Sequence, residues 1–196
     1  MTKREIIKDF KLFREYCIDL RRAYNTYTAL FASDQGNIDL IRKIAPVFFK
    51  EIQDMMIRDW YLRCNILMDP ATTTIKKIIY KNLTVDHINI QLDQLGFLDK
   101  QIKNTAKSLL KYKKHTQKPR NKLIGHLDQA SIRRGKTLGK HKSEALSAFL
   151  KEIQEYCDLV GVKIGIGPLD FSCSSCQGDV VDLLGTLRKY QKKCLT

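Results

Sequence analysis

The chain has 196 residues, 43% of them hydrophobic and 29% charged, with a formal net charge of +14. That length predicts one domain, residues 1–196, able to bury roughly 70% of its unfolded surface without a covalent staple. No apolar run reaches the ~18–20 residues of a membrane span, and Met1-Thr2-Lys3-Arg4-Glu5 lacks the apolar core of a secretory signal, so no membrane partner and a cytoplasmic location are expected.

Residues 4–32 read as one long helix, because Ile6, Phe10, Phe13, Cys17, Leu20, Tyr24, Tyr27 and Phe31 recur every three or four positions. Ser33-Asp34-Gln35-Gly36-Asn37 is a turn by its Gly, Asn and Asp content. A second helix is expected over 38–68 on the stripe Ile41, Ile44, Phe48, Ile52, Met55, Met56, Trp60, Cys64 and Leu67, with a kink at Pro46 and a stop at Asp69-Pro70. Two such helices around a short turn make an antiparallel hairpin, and the fold class is therefore all-α.

Residues 71–83 carry strand propensity in Thr72-Thr73-Thr74 and Ile75–Tyr80, but no partner strand is evident. Thr84 caps a helix over 85–94, which Gly96 breaks. A lysine-rich helix follows over 98–114, with Ile102, Ala106, Leu109 and Leu110 inward, and His115-Thr116-Gln117-Lys118 links it onward. After the segment 119–131 comes a basic loop opened by Gly135 and Gly139. Ser143 caps a helix over 144–160, with Leu146, Phe149, Leu150, Ile153 and Cys157 as its core stripe. Residues 161–177 are irregular, and Gly178 or Asp179 starts a final helix carrying Val181, Leu183, Leu184, Leu187 and Tyr190.

The densest chemistry lies in Lys118-Pro119-Arg120-Asn121-Lys122-Leu123-Ile124-Gly125-His126-Leu127-Asp128. Pro119 suits the first turn of a helix, where its missing N–H has no partner to lose. On that helix, over 119–131, Leu123, Leu127 and Ala130 form an apolar stripe, while Lys122, His126, Gln129 and Arg133 form a polar one. Gly125 costs about 1 kcal/mol against alanine within a helix, which suggests close approach of another backbone, such as that of a partner subunit.

This phrase resembles the R-x(4–6)-H motif of the HEPN superfamily, and most of all its abortive-infection, U-type branch, with a small residue before the histidine and an aspartate after it. Ile66-Leu67-Met68-Asp69-Pro70 and Lys81-Asn82-Leu83-Thr84 are similar to that branch's upstream pattern. The resemblance implies a HEPN-like helical bundle and a homodimer that sets two motifs face to face. It also implies a metal-independent endoribonuclease in anti-phage defence or as a toxin.

The residue types suit that chemistry. RNA cleavage by the substrate's own 2′-hydroxyl needs a base, an acid for the leaving 5′-oxygen and a cation at the charged phosphorane. His126 supplies proton transfer near neutral pH. Arg120 offers a planar fork to two phosphate oxygens, and Asn121 can orient either the arginine or the hydroxyl. The candidate catalytic residues are thus Arg120, Asn121 and His126. On a straight helix Arg120 and His126 diverge by roughly 120°, and both border one groove if Arg120 sits in the loosely wound first turn. The plainer alternatives are that His126 is an ordinary exposed polar residue and that Arg120 with Asp128 braces the helix. Lys122, one turn before His126, disfavours the charged imidazole, and His115 in the basic linker is a weaker candidate for phosphate contact.

Between Lys100 and Lys142 stand fourteen basic residues and a single acid, Asp128. A polyanion is the natural partner for such a block, because neutralising phosphates releases counterions. RNA is the expected ligand, with Lys107, Lys111, Lys114, Lys118, Lys122, Arg133 and Arg134 as nucleic-acid contacts; a solvated lysine-rich face is the alternative. Cys17, Cys64 and Cys157 fall in helical patterns and are expected to be buried. Cys173-Ser174-Ser175-Cys176 lacks the second ligand pair of a zinc site, so neither a metal nor a cofactor is expected. The rival reading is a non-catalytic HEPN-like nucleotide- or RNA-binding module, or a protein-interaction module whose basic face binds an acidic partner such as an antitoxin.

Overall fold

In the computed structural model, residues 1–125, 128–134, 143–173 and 176–194 are described. The fold is predominantly helical. Helix α1 (Lys3–Phe31) starts at a capping box: Thr2 Oγ1 accepts from the Glu5 N–H and the Glu5 carboxylate accepts from the Thr2 N–H at 2.7 Å. Ile6, Phe10, Phe13, Cys17 and Leu20 are buried as their spacing predicts. Beyond them Leu30 is the buried residue, while Tyr24, Tyr27 and Phe31 are half-buried.

The single helix expected over 38–68 is two helices, α2 (Gln35–Ile44) and α3 (Pro46–Leu67). Pro46 disfavours the helical region for the residue before it, and Ala45 sits at φ −152°, ψ 71°. Helix α3 runs opposite to α1. The Tyr16 hydroxyl donates to the Arg63 carbonyl at 3.1 Å, and the Tyr24 and Trp60 rings lie 5.7 Å apart, so residues later in α1 meet residues earlier in α3.

Residues 71–83 also depart from expectation, since their two halves pair with each other. Strands β1 (Thr72–Ile75) and β2 (Ile78–Lys81) form an antiparallel hairpin in register Thr72↔Lys81 to Ile75↔Ile78. Lys76 and Lys77 make its two-residue turn at φ 48° and 70°. That left-handed geometry is the kind Asn-Gly normally marks, and two lysines there hide the hairpin from a reading of turn residues.

Helix α4 (Val85–Gln94) has the predicted Thr84 cap, with its hydroxyl accepting from the His87 N–H at 3.2 Å. Helix α5 (Lys100–Lys111) starts at Asp99, whose carboxylate takes the Ile102 N–H at 3.0 Å and the Lys163 ammonium at 3.0 Å. The supposed linker 115–118 lies within helix α6 (Lys113–Pro119), which packs on α3. Tyr112 joins α5 to α6; its ring stacks on Phe149 at 4.1 Å and its hydroxyl meets Trp60 Nε1 at 3.3 Å.

Helix α7 (Gln129–Arg133) precedes helix α8 (Ser143–Ile164), which packs on α5 and α1, and helix α9 (Val180–Cys194) closes the chain. The main core gathers Phe10, Phe13, Ile88, Leu92, Ile102, Phe149, Ile153 and Tyr156 from α1, α4, α5 and α8. A smaller cluster joins Leu30, Leu40, Ile41, Phe49 and Leu184. Of the stripe expected on α9, Leu184 is buried and Leu187 packs against this cluster, whereas Val181, Leu183 and Tyr190 are exposed, because only one edge of α9 meets the small cluster.

Helix α8 continues to Ile164, past the Gly161 at which irregular structure is expected. A Cβ on Gly161 would lie 2.3 Å from the Gly167 carbonyl oxygen, so the chain folds back here against bare backbone. The returning segment is tied to α1 and α8. Arg21 Nε and Asn25 Nδ2 donate to the Ser172 carbonyl, the Gln154 side chain accepts from the Phe171 N–H, and Phe171 is buried. Cys17, Cys64 and Cys157 are buried free thiols, and burial pushes Cys17 and Cys64 well above the ordinary thiol range. Cys173 and Cys176 are exposed free thiols.

Candidate active site and nucleic-acid face

Pro119 is the last residue of α6, with helical winding on both sides of it, and not the first turn of a new helix. It has no N–H for the His115 carbonyl, and its ring crowds that carbonyl. The winding then widens into a π-helical turn, Arg120–Ile124, in which the Gly125 N–H reaches the Arg120 carbonyl at 2.7 Å. The expected uniform helix over 119–131 is therefore this turn followed by the separate α7. Of its apolar stripe, Leu123 is half-buried and Ala130 exposed, and Leu127 lies outside the described residues.

A Cβ on Gly125 would stand 3.3 Å from the Arg120 carbonyl oxygen. Gly125 is at φ −76°, so the close approach within its own chain favours glycine here, without appeal to an unusual backbone angle. Arg120 thus follows a helix instead of sitting in the first turn of one. His126 itself lies outside the described residues.

The Arg120 guanidinium is 37% exposed and held from two sides. Its Nη1 donates to Asn121 Oδ1 at 3.1 Å, and its Nη2 lies 3.8 Å from Asp69 Oδ2. Asp69 also accepts from Lys113 Nζ at 3.2 Å, and the same ammonium donates to the Met68 carbonyl at 3.0 Å. One carboxylate thus anchors two cations and aims the arginine.

The backbone around Asp69 is fixed by the second upstream motif. Asn82 Nδ2 donates to the Pro70 carbonyl at 2.9 Å, the Asn82 N–H to the Ala71 carbonyl at 2.8 Å, and the Ala71 N–H to the Asp86 carboxylate at 2.9 Å. The sequence shows Asp69 as a helix stop and Lys113 as one lysine of many. Their part in holding Arg120 emerges only when α3 and α6 pack together.

The basic residues expected to meet nucleic acid are spread over α5, α6, the π-turn and α7. Lys107 and Lys111 lie one turn apart on α5, Lys114 and Lys118 one turn apart on α6, and Lys122 follows on the π-turn. All five are exposed, as are Arg133 and Arg134 at the end of α7. Among the described residues no carboxylate pairs with any of these seven. His115 is half-buried, its ring 5.7 Å from that of Tyr112. Two clefts of about 650 Å³ each lie elsewhere, one beside Arg21, Leu150 and Gln154 and the other beside Asp9, His87 and Gln91. An extended polyanion needs a charged open face and not an enclosed cavity, so these clefts do not compete with the motif for that role.

The family model HEPN_AbiU2, described as AbiU2, matches residues 3–183. The chain belongs to this family. The match spans α1 through the start of α9, and the HEPN superfamily it falls in includes ribonucleases and abortive-infection proteins. No match was found among curated proteins or solved structures. Among the described residues no helix is long and apolar enough to cross a membrane, and no three His, Cys, Asp or Glu side chains converge as a metal-ligand group.

Proposed function

We propose that this AbiU2-family chain is a metal-independent endoribonuclease acting in anti-phage defence or as a toxin. The observation that carries the reading is the Arg120 guanidinium, oriented by Asp69 and Asn121 yet open to solvent, at the start of a π-wound turn leading to His126. The 2′-hydroxyl attacks the adjacent phosphorus and the bond to the 5′-oxygen breaks. His126 handles the proton lost by the nucleophile or gained by the leaving oxygen. Arg120 stabilises the charged phosphorane and Asn121 steadies Arg120. Lys107, Lys111, Lys114, Lys118, Lys122, Arg133 and Arg134 hold the RNA through its phosphates. The chain works as one domain and as a homodimer with two motifs facing across the dyad, and light scattering that gives a monomer at micromolar concentration removes the dimer.

Purified protein is expected to cut single-stranded RNA in EDTA, leaving a 2′,3′-cyclic phosphate, and to leave a substrate with 2′-deoxy at the cut site intact. His126→Ala and Arg120→Ala each lose about 10²-fold or more in rate while keeping the fold. Equal rates for wild type and His126→Ala identify a contaminating nuclease and overturn the reading. The alternative, a non-catalytic RNA- or protein-binding module with an antitoxin among its partners, draws on the same ion pair: Arg120 already has Asp69 as a partner. RNA binding without turnover supports it.

A further inference from the structure

The β1–β2 hairpin projects from the helices with every residue from Thr72 to Lys81 exposed. Thr73, Tyr80, Ile75 and Ile78 share one face by register, and Thr72, Lys81, Thr74 and Ile79 share the other. Ile75, Ile78 and Ile79 are 55%, 57% and 68% exposed, and Tyr80 is 48% exposed. A lone two-stranded hairpin is marginal in water, and uncovered apolar and aromatic side chains on one mark a contact surface.

Charge indicates what covers it. Residues 72–81 contain Lys76, Lys77 and Lys81 and no acid. Lys76 and Lys77 occupy left-handed turn positions where glycine or asparagine is favoured, so the turn accepts unfavourable backbone angles and places two adjacent ammonium groups at the tip. A second copy of a chain carrying +14 is repelled by that tip, whereas a polyanion is attracted.

Position points the same way. β1 starts three residues after Asp69, the anchor of Arg120 and Lys113. Asn82 clamps the base of the hairpin through the Pro70 carbonyl at 2.9 Å and Thr73 Oγ1 at 2.7 Å. Four-residue strands carry the tip no more than about 14 Å from that base.

We infer that the hairpin is a second RNA-binding arm: Lys76 and Lys77 take backbone phosphates, and Tyr80 stacks on a base. The ligand is single-stranded RNA, whose bases are free to stack. This deepens the ribonuclease reading and rests on it.

The test is fluorescence anisotropy of a labelled single-stranded RNA oligonucleotide over a salt series, with thermal melts and light scattering on each variant. Lys76→Glu combined with Lys77→Glu should make the slope of log affinity against log salt shallower by at least about 1.4, two contacts at about 0.7 each. Tyr80→Ala should weaken binding about tenfold, and Tyr80→Phe should retain it. If wild type binds RNA and both the lysine and the Tyr80→Ala variants match it, the arm is overturned while the RNA reading stands. A wild type that binds no RNA overturns both. Hairpin variants that change the oligomeric mass and leave RNA affinity intact make the occupant a protein copy and overturn the arm.

Discussion

Phe13 and Arg120 sit in opposite environments. Phe13 is 1% exposed, with the Tyr156 ring edge-on at 5.9 Å and Phe10 stacked at 6.1 Å. Arg120 is 37% exposed, on a π-wound turn, held by a neighbouring amide and one carboxylate. Around Phe13 the helices are regular and the side chains fill space, which is how apolar burial stabilises a fold. Around Arg120 the winding is loose, and among the described residues exposed basic side chains such as Lys118 and Lys122 have no carboxylate partner, which is how a surface keeps charge available for a ligand. The contrast separates residues that set stability from residues proposed to set activity.

That separation can be broken by experiment, starting with the core. Phe13→Ala should cost about 3–5 kcal/mol and lower Tm by about 10 °C, through lost burial and the cavity left behind. Calorimetry showing no loss would mean that the core does not depend on this ring.

Asp69→Asn sharpens the comparison from the other side. It keeps an acceptor but removes the charge that positions Arg120 and Lys113, so RNA cleavage should fall about tenfold with little change in Tm. In an Arg120→Ala background the same change should do almost nothing, since the partner it positions is gone. Additive losses in that double-mutant cycle would show that Asp69 acts elsewhere.

The smallest effect concerns a helix end. Asp99→Ala should cost about 1 kcal/mol by removing the cap of α5. The Ile102 N–H and then the Lys163 ammonium hold the Asp99 carboxyl below its ordinary value of 3.8. The carboxylate's contribution is therefore fully present above 3.8 and is lost as pH falls through the lower folded value. Thermal melts of wild type and variant should differ at neutral pH and converge in acid; a difference that widens in acid would refute this account.

Much of the helical frame is legible in the residues, because burial of one face imposes a period of three to four on α1, α5 and α8. The Thr84 cap and the motif phrase are legible for the same local reason: each rests on atoms within a few residues. Three features are not. Pro46 reads as a kink, and it becomes a full break in which Ala45 leaves the helical region that a following proline disfavours. The hairpin escapes notice because its turn uses lysines where glycine or asparagine is the usual sign. The π-turn after Pro119 depends on a carbonyl–ring clash that composition does not reveal.

What the sequence determines alone is the helical class, the buried stripes, the basic block and the Arg120–Asn121–His126 phrase, since periodicity, charge and spacing are properties of the chain. Only the tertiary structure decides that Asp69 and Lys113 meet Arg120, and that the upstream Asn82 fixes the backbone beside Asp69. Those contacts join residues 44 and 51 positions apart in one case and 12 in the other, and no local preference encodes them. They exist because packing α6 on α3 brings one carboxylate beneath two cations.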